Sequence, residues 1–243
     1  MAILKKQTNR NQILQIKNIK MARTSQLITI LFICFSFASK GQNQKTNSKT
    51  EWLMANLLRE KSNNITISGK PQLIESPYGE AVSFNGIDDD FLLNEMPLIS
   101  LKEFTVEMIF NPDPTGPFEQ RVLHIGESKA DRMLLEIRAV DSNWYFDGYA
   151  CSGTNKKALA NETLVHPLGK WYHVAFVVSP NNLTTYVNGK QELQEPFSFL
   201  PIKTGQTSIG VRLNRVNWFK GAIYKIRITP KQVKPNKFMR FIK

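Results

Sequence analysis

The chain has 243 residues, 42% of them hydrophobic, enough apolar material for one sizeable core. Its formal charge of +12 sits at the ends: residues 1–41 hold seven Lys or Arg and no acid, residues 230–243 hold five more and no acid, and 42–229 balance. A balanced body gives no compositional support for nucleic-acid binding.

In chain order, the basic start is followed by Leu27 to Ala38 (LITILFICFSFA), an apolar run too short for a comfortable membrane span. Arg23 precedes it, and Ser39 and Gly41 place small residues at −3 and −1 before Gln42. This reads as a secretory signal peptide with an extended basic leader over residues 1–41, starting at Met1 or Met21. Export to the periplasm, cell surface or medium is the expectation, with no membrane span left after cleavage. Cys34 follows Ile33 and not a small residue, so a lipid anchor is not expected. Removing the leader leaves Cys151, which cannot form an internal disulfide. His124, His166 and His173 show no ligand-like spacing, so a zinc site is not expected either.

Residues 42–62 read as a polar linker and a short amphipathic helix over Glu51 to Lys61, with Trp52, Leu53, Leu57 and Leu58 at helical spacing. From about Asn63 the pattern becomes short alternating runs broken by turn residues. They are Ala81 to Phe84, Phe91 to Leu93, Phe104 to Phe110, Arg121 to Gly126, Arg132 to Val140, Asn143 to Cys151, Trp171 to Val178, Leu183 to Val187, Thr207 to Leu213 and Ala222 to Ile228. Both phases of Trp171 to Val178 are mostly apolar, which marks an interior strand covered on two faces. Ser179-Pro180-Asn181-Asn182 and Asn188-Gly189 turn the chain tightly around Leu183 to Val187, so the strands run antiparallel. Many short strands without a long helix predict an all-β, antiparallel two-sheet jelly roll over residues 63–243, ending in a solvated basic tail.

Five stretches carry a family resemblance: AVSFNG from Ala81, FTVE from Phe104, WYHVAF from Trp171, YVNG from Tyr186 and GAIYKIRI from Gly221. Their order resembles the strand signatures of laminin G-like domains, within the concanavalin A-like lectin/glucanase superfamily. QRVLH from Gln120, LEIR from Leu135 and GVRLNRVNWFKG from Gly210 are similar to a bacterial exported branch. The resemblance implies two stacked, curved sheets with recognition on the concave face or the loop rim. It implies no reaction.

Three kinds of site are weighed. Arg121, His124, Arg138, Tyr145, Arg212, Asn214 and Trp218 combine planar polar groups with rings, the side chains that hydrogen-bond sugar hydroxyls and cover sugar faces. A glycan or surface-protein partner, bound by a monomer without catalysis, is the favoured reading. The alternative is a divergent glycoside hydrolase in which Glu107 and Glu136, on the non-core phase of their strands, face one concavity as acid and nucleophile. For cofactors, Asp88, Asp89 and Asp90 offer oxygen ligands for calcium, although three consecutive acids lack alternate spacing and a solvated turn is favoured. Trp171 and His173 are assigned to packing, because they lie in the buried run.

Overall fold

Alternating apolar residues leave each strand with one face that needs a cover, and two sheets supply it for each other. The computed structural model describes residues 48–60 and 62–240; the leader and cleavage site expected from the sequence lie outside them. Its strands are β1 (Thr50–Leu53), β2 (Ile65–Ser68), β3 (Gln72–Ser76), β4 (Gly79–Asn85), β5 (Asp90–Leu93), β6 (Phe104–Pro112), β7 (Glu119–Gly126) and β8 (Arg132–Val140). They continue as β9 (Asn143–Ser152), β10 (Asn155–Ala160), β11 (His166–Pro167), β12 (Tyr172–Val178), β13 (Asn182–Val187), β14 (Lys190–Pro196), β15 (Gln206–Ile209) and β16 (Lys220–Thr229). One helix, α1 (Met54–Arg59), and a 3-10 turn at Pro235–Lys237 complete the described elements.

The first sheet runs β14-β13-β12-β6-β16-β4-β3, with β1 also on β16; the second runs β10-β9-β8-β7-β15-β5-β2, with β11 on β9. This is the antiparallel jelly-roll sandwich anticipated above. The core lies between the sheets, where aromatic pairs cross: Phe110 meets Trp144 edge-on at 5.2 Å, and Phe84 meets Phe91 at 5.7 Å. Such pairs add about 0.5–1.5 kcal/mol beyond area burial. β12 is buried along its whole length, as its two apolar phases required.

Two elements differ from the sequence reading. Helix occupies only Met54–Arg59, because Thr50–Leu53 pairs with Leu53↔Lys225 through Thr50↔Ile228 of β16. β4 stops pairing with β16 at Ile223, and the open backbone edge beyond it takes β1 in place of a first helical turn. The strand expected over Thr207 to Leu213 ends at Ile209, since Gly210 turns the chain with φ of +89°. The basic tail also does more than end the sheet. Thr105 Oγ1 donates to Lys231 O and accepts from Val233 N, and Arg227 donates to Lys237 O, so residues 231–240 cross the outer face of the first sheet. Among the described residues no helix is long and apolar enough to cross a membrane.

Gly148 lies where the sheets pack closely. A Cβ there would lie 2.9 Å from both Phe176 Cε2 and Thr185 Cγ2 across the core. Gly148→Val should therefore lower the urea midpoint of unfolding by an amount equivalent to about 1–3 kcal/mol, the usual cost of overpacking. An unchanged midpoint would show that the sheets can part there freely.

Candidate functional site

The outer face of the second sheet collects charge in rows. Strand periodicity turns Glu119 and Arg121 of β7, Glu136 and Arg138 of β8, and Tyr145 and Asp147 of β9 away from the core. The register sets Glu119 against Arg138, Arg121 against Glu136, and Glu136 against Asp147. Arg121 pairs with Glu119, and its Nε lies 2.5 Å from Glu136 Oε1. Arg138 reaches Glu119 at 2.5 Å, Asp147 at 2.7 Å and Glu136 at 3.4 Å. Glu136 is 2% exposed. Burial, with help from Asp147 and Glu119, raises its carboxyl to about pKa 8 against the pull of Arg121 and Arg138.

Arg121 and His124 stand three residues apart yet face the same way. A bulge between Arg121 and Leu123 turns Val122 inward and resets the alternation. The same bulge frees backbone groups for the loop of residues 210–219, which docks there: Arg121 N donates to Asn217 O at 2.8 Å, and Gly210 N to Val122 O at 2.9 Å. His124 pins that loop from below. Its Nδ1 accepts the Leu213 N–H at 3.3 Å, which leaves Nε2 to donate to Glu127 O at 3.0 Å. Burial and repulsion from Arg132, Arg212 and Arg121 lower its pKa to about 4, so the ring is neutral. Expected as a ligand contact, His124 is fully buried with both ring nitrogens occupied, and it positions the loop instead.

The loop carries the exposed part of the site. Asn214 projects at its tip, and Arg215 lies over the Trp218 ring at 5.1 Å while pairing with buried Asp90 at 2.6 Å. Arg215 and Asn217 hold φ of 59° and 58°, left-handed bends that non-glycine residues adopt at a cost. A groove of about 430 Å³ opens beside the loop, lined by Arg212, Arg215, Asp90, Gln206 and Ser208 among others. Of the seven expected contacts, Arg212, Asn214 and Trp218 sit on this loop, and Arg121 and Arg138 lie in the ion network beside it. Tyr145 lines a separate groove with Lys157, Glu162 and Leu193. Arg132 and Tyr149 escaped the sequence reading although both occupy the outward phase: Arg132 lies 5.1 Å over the Tyr149 ring and donates to its hydroxyl at 3.2 Å.

The paired-carboxylate expectation is corrected by the topology. Glu107 belongs to β6 of the first sheet and Glu136 to β8 of the second, each pointing away from the shared core, so they occupy opposite faces and cannot flank one bond. Glu107 accepts from Arg227 Nε at 2.7 Å and Met239 N at 2.6 Å, and lies 3.0 Å from His173 Nε2. The calcium candidates likewise disperse. Asp89 accepts from Lys70 N and Asn85 N, Asp90 pairs with Arg215, and Asp88 accepts from Asn85 Nδ2. Among the described residues no three His, Cys, Asp or Glu side chains converge as a metal cluster. Trp171 lies just before β12, half-buried, and meets Tyr78, which in turn meets Tyr224, on the first sheet's side.

A family model described as the concanavalin A-like lectin/glucanases superfamily (Laminin_G_3) matches residues 85–237, and the chain belongs to that family. Among solved structures, domain 4 of AbnA, a GH43 extracellular arabinanase from Geobacillus stearothermophilus in complex with arabinotriose, is 20% identical. The match covers 71% of this chain and 85% of that one, with a TM-score of 0.56. The botulinum neurotoxin type G receptor binding domain is 8% identical over 71% of this chain and 44% of that one, at TM-score 0.54. The binding domain of paraclostridial mosquitocidal protein 1 is 11% identical over 72% and 45%, at 0.53. The chain thus spans less than half of either toxin domain, and at these identities the likeness is one of fold. No curated protein matches the chain.

Two buried groups make stability depend on pH in opposite senses. His124, lowered from 6.5 to about 4, contributes fully above pH 6.5 and loses its contribution as pH falls through 4, a change of about 3 kcal/mol. Glu136, raised from 4.5 to about 8, contributes fully below pH 4.5 and loses its contribution as pH rises through 8. Melting temperatures across pH 4–9 should show a steep acid limb that His124→Gln flattens, and an alkaline decline that Glu136→Gln flattens. Parallel curves for wild type and either variant would contradict the corresponding assignment.

Proposed function

We propose that the chain is an exported module that binds glycan at the outer face of its second sheet, as a monomer and without chemistry on the ligand. The observation that carries this reading is the loop of residues 210–219, fastened to β7 at the bulge and presenting Arg212, Asn214 and Trp218 beside the groove. Planar hydrogen-bonding groups next to a ring suit a pyranose or furanose, whose hydroxyls alternate with apolar faces. The fold's occurrence in a domain solved with arabinotriose supports the same reading. The apolar run Leu27 to Ala38 after Arg23, with small residues before Gln42, supports export.

A glycan array probed with the purified chain should give a defined set of ligands. Asn214→Ala and Trp218→Ala should each weaken the best ligand about tenfold, or about 1.4 kcal/mol, in calorimetric titration, with the melting temperature held. An empty array together with a protein partner in a pull-down from the cell surface would replace this reading with an adhesion module. Export is checked by mass spectrometry of protein from culture fluid or periplasm, where the mature chain should begin at Gln42.

A further inference from the structure

The second sheet's outer face holds more guanidinium than carboxylate. Glu119, Glu136 and Asp147 are all engaged by Arg121 and Arg138. Arg132 and Arg212 lie outside that network, and among the described residues no carboxylate comes within ion-pair distance of either. Arg132 spends its donors on Ala130 O at 2.6 Å and on the Tyr149 hydroxyl. The positive groups are close enough to oppose one another: burial and then repulsion from Arg132 and Arg121 lower the Arg212 pKa.

Several donors here lack acceptors. Arg121 and Arg132 are each 7% exposed, yet Arg121 Nη1 and Arg132 Nε have no hydrogen-bond partner, and neither does Arg212 Nε. A buried donor left in this state costs about 1–3 kcal/mol, so the cluster is incomplete on its own. The carboxylates nearby, Glu136 and Asp147, are already held by the Arg121–Arg138 network, with Glu136 Oε1 itself 2.5 Å from Arg121 Nε. Proton uptake by Glu136 near neutrality removes one negative charge and widens the imbalance. What the cluster lacks is an anionic acceptor.

We propose that this face takes an acidic glycan, whose carboxylate is held by Arg212 at the groove, within the positive field of buried Arg132 and beside the half-buried Tyr149 ring. A planar guanidinium meets a carboxylate through two parallel hydrogen bonds, which an ammonium cannot do. The inference rests on the glycan reading and narrows its ligand class.

The test is calorimetric titration of the full chain with polygalacturonate, dextran sulfate and arabinan at low and moderate salt. Polygalacturonate should bind, weaken as salt rises, and lose at least about tenfold in affinity in Arg212→Gln, equivalent to about 1.4 kcal/mol. Arg212 is half-exposed and unpaired, so that variant should keep its melting temperature, and Arg132→Gln should repeat the loss if it remains folded. Arabinan bound as well as polygalacturonate, with both indifferent to Arg212→Gln, would overturn the acidic-ligand assignment and leave the glycan reading intact. Dextran sulfate bound without polygalacturonate would overturn the carboxylate while keeping an anion at the arginines. No binding to any of the three polymers or to the glycan array would remove both.

Discussion

Packing two sheets face to face leaves charged strand residues nowhere to go but the two outer faces, and both of these faces then bury charge. The first sheet closes the account internally. Glu107 is fully buried, but two donors and His173 converge on it, and Phe238 stacks against that histidine at 5.3 Å. The second sheet does not close. Its three carboxyls are consumed by two arginines, and two further arginines remain with donors unspent. A saturated cluster is architecture, while an unsaturated one on an accessible face is where a ligand has something to add.

The bulge in β7 connects that chemistry to the fold. By resetting the alternation it places Arg121 and His124 on one side, and by leaving backbone groups unpaired it gives the 210–219 loop its attachment. His124 then serves the loop as a neutral ring that accepts on one nitrogen and donates on the other. The attachment of the loop and the common facing of Arg121 and His124 both follow from one extra residue in one strand.

Much of the sandwich was legible because apolar alternation records which side of a strand is covered. The mostly apolar, fully buried β12 and the alternating β6 and β8 are legible for that reason. The polar edge strands β3, β10 and β14 left no such trace. Their residues are largely exposed, and they are strands because a neighbour offers a backbone edge. The site was legible in part. Arg212, Asn214 and Trp218 announce themselves by composition, whereas Arg132 and Tyr149 look like ordinary outward residues until their strands are paired and the guanidinium lies over the ring. Glu107 and Glu136 show the sharper limit. Phase separates inside from outside, but a sandwich has two outsides, and only the strand order tells them apart.

The seat of Glu107 also sets a schedule for synthesis. Its carboxylate is completed by the amide of Met239, 132 residues later in the chain. As the polypeptide leaves the ribosome, β6 and β12 can pair long before that amide exists, holding a carboxylate and an imidazole at an uncovered surface. The first sheet therefore reaches its final electrostatic state only after residue 239 has been made. Until then both sheets can form, but the Glu107 carboxylate lacks one of its donors.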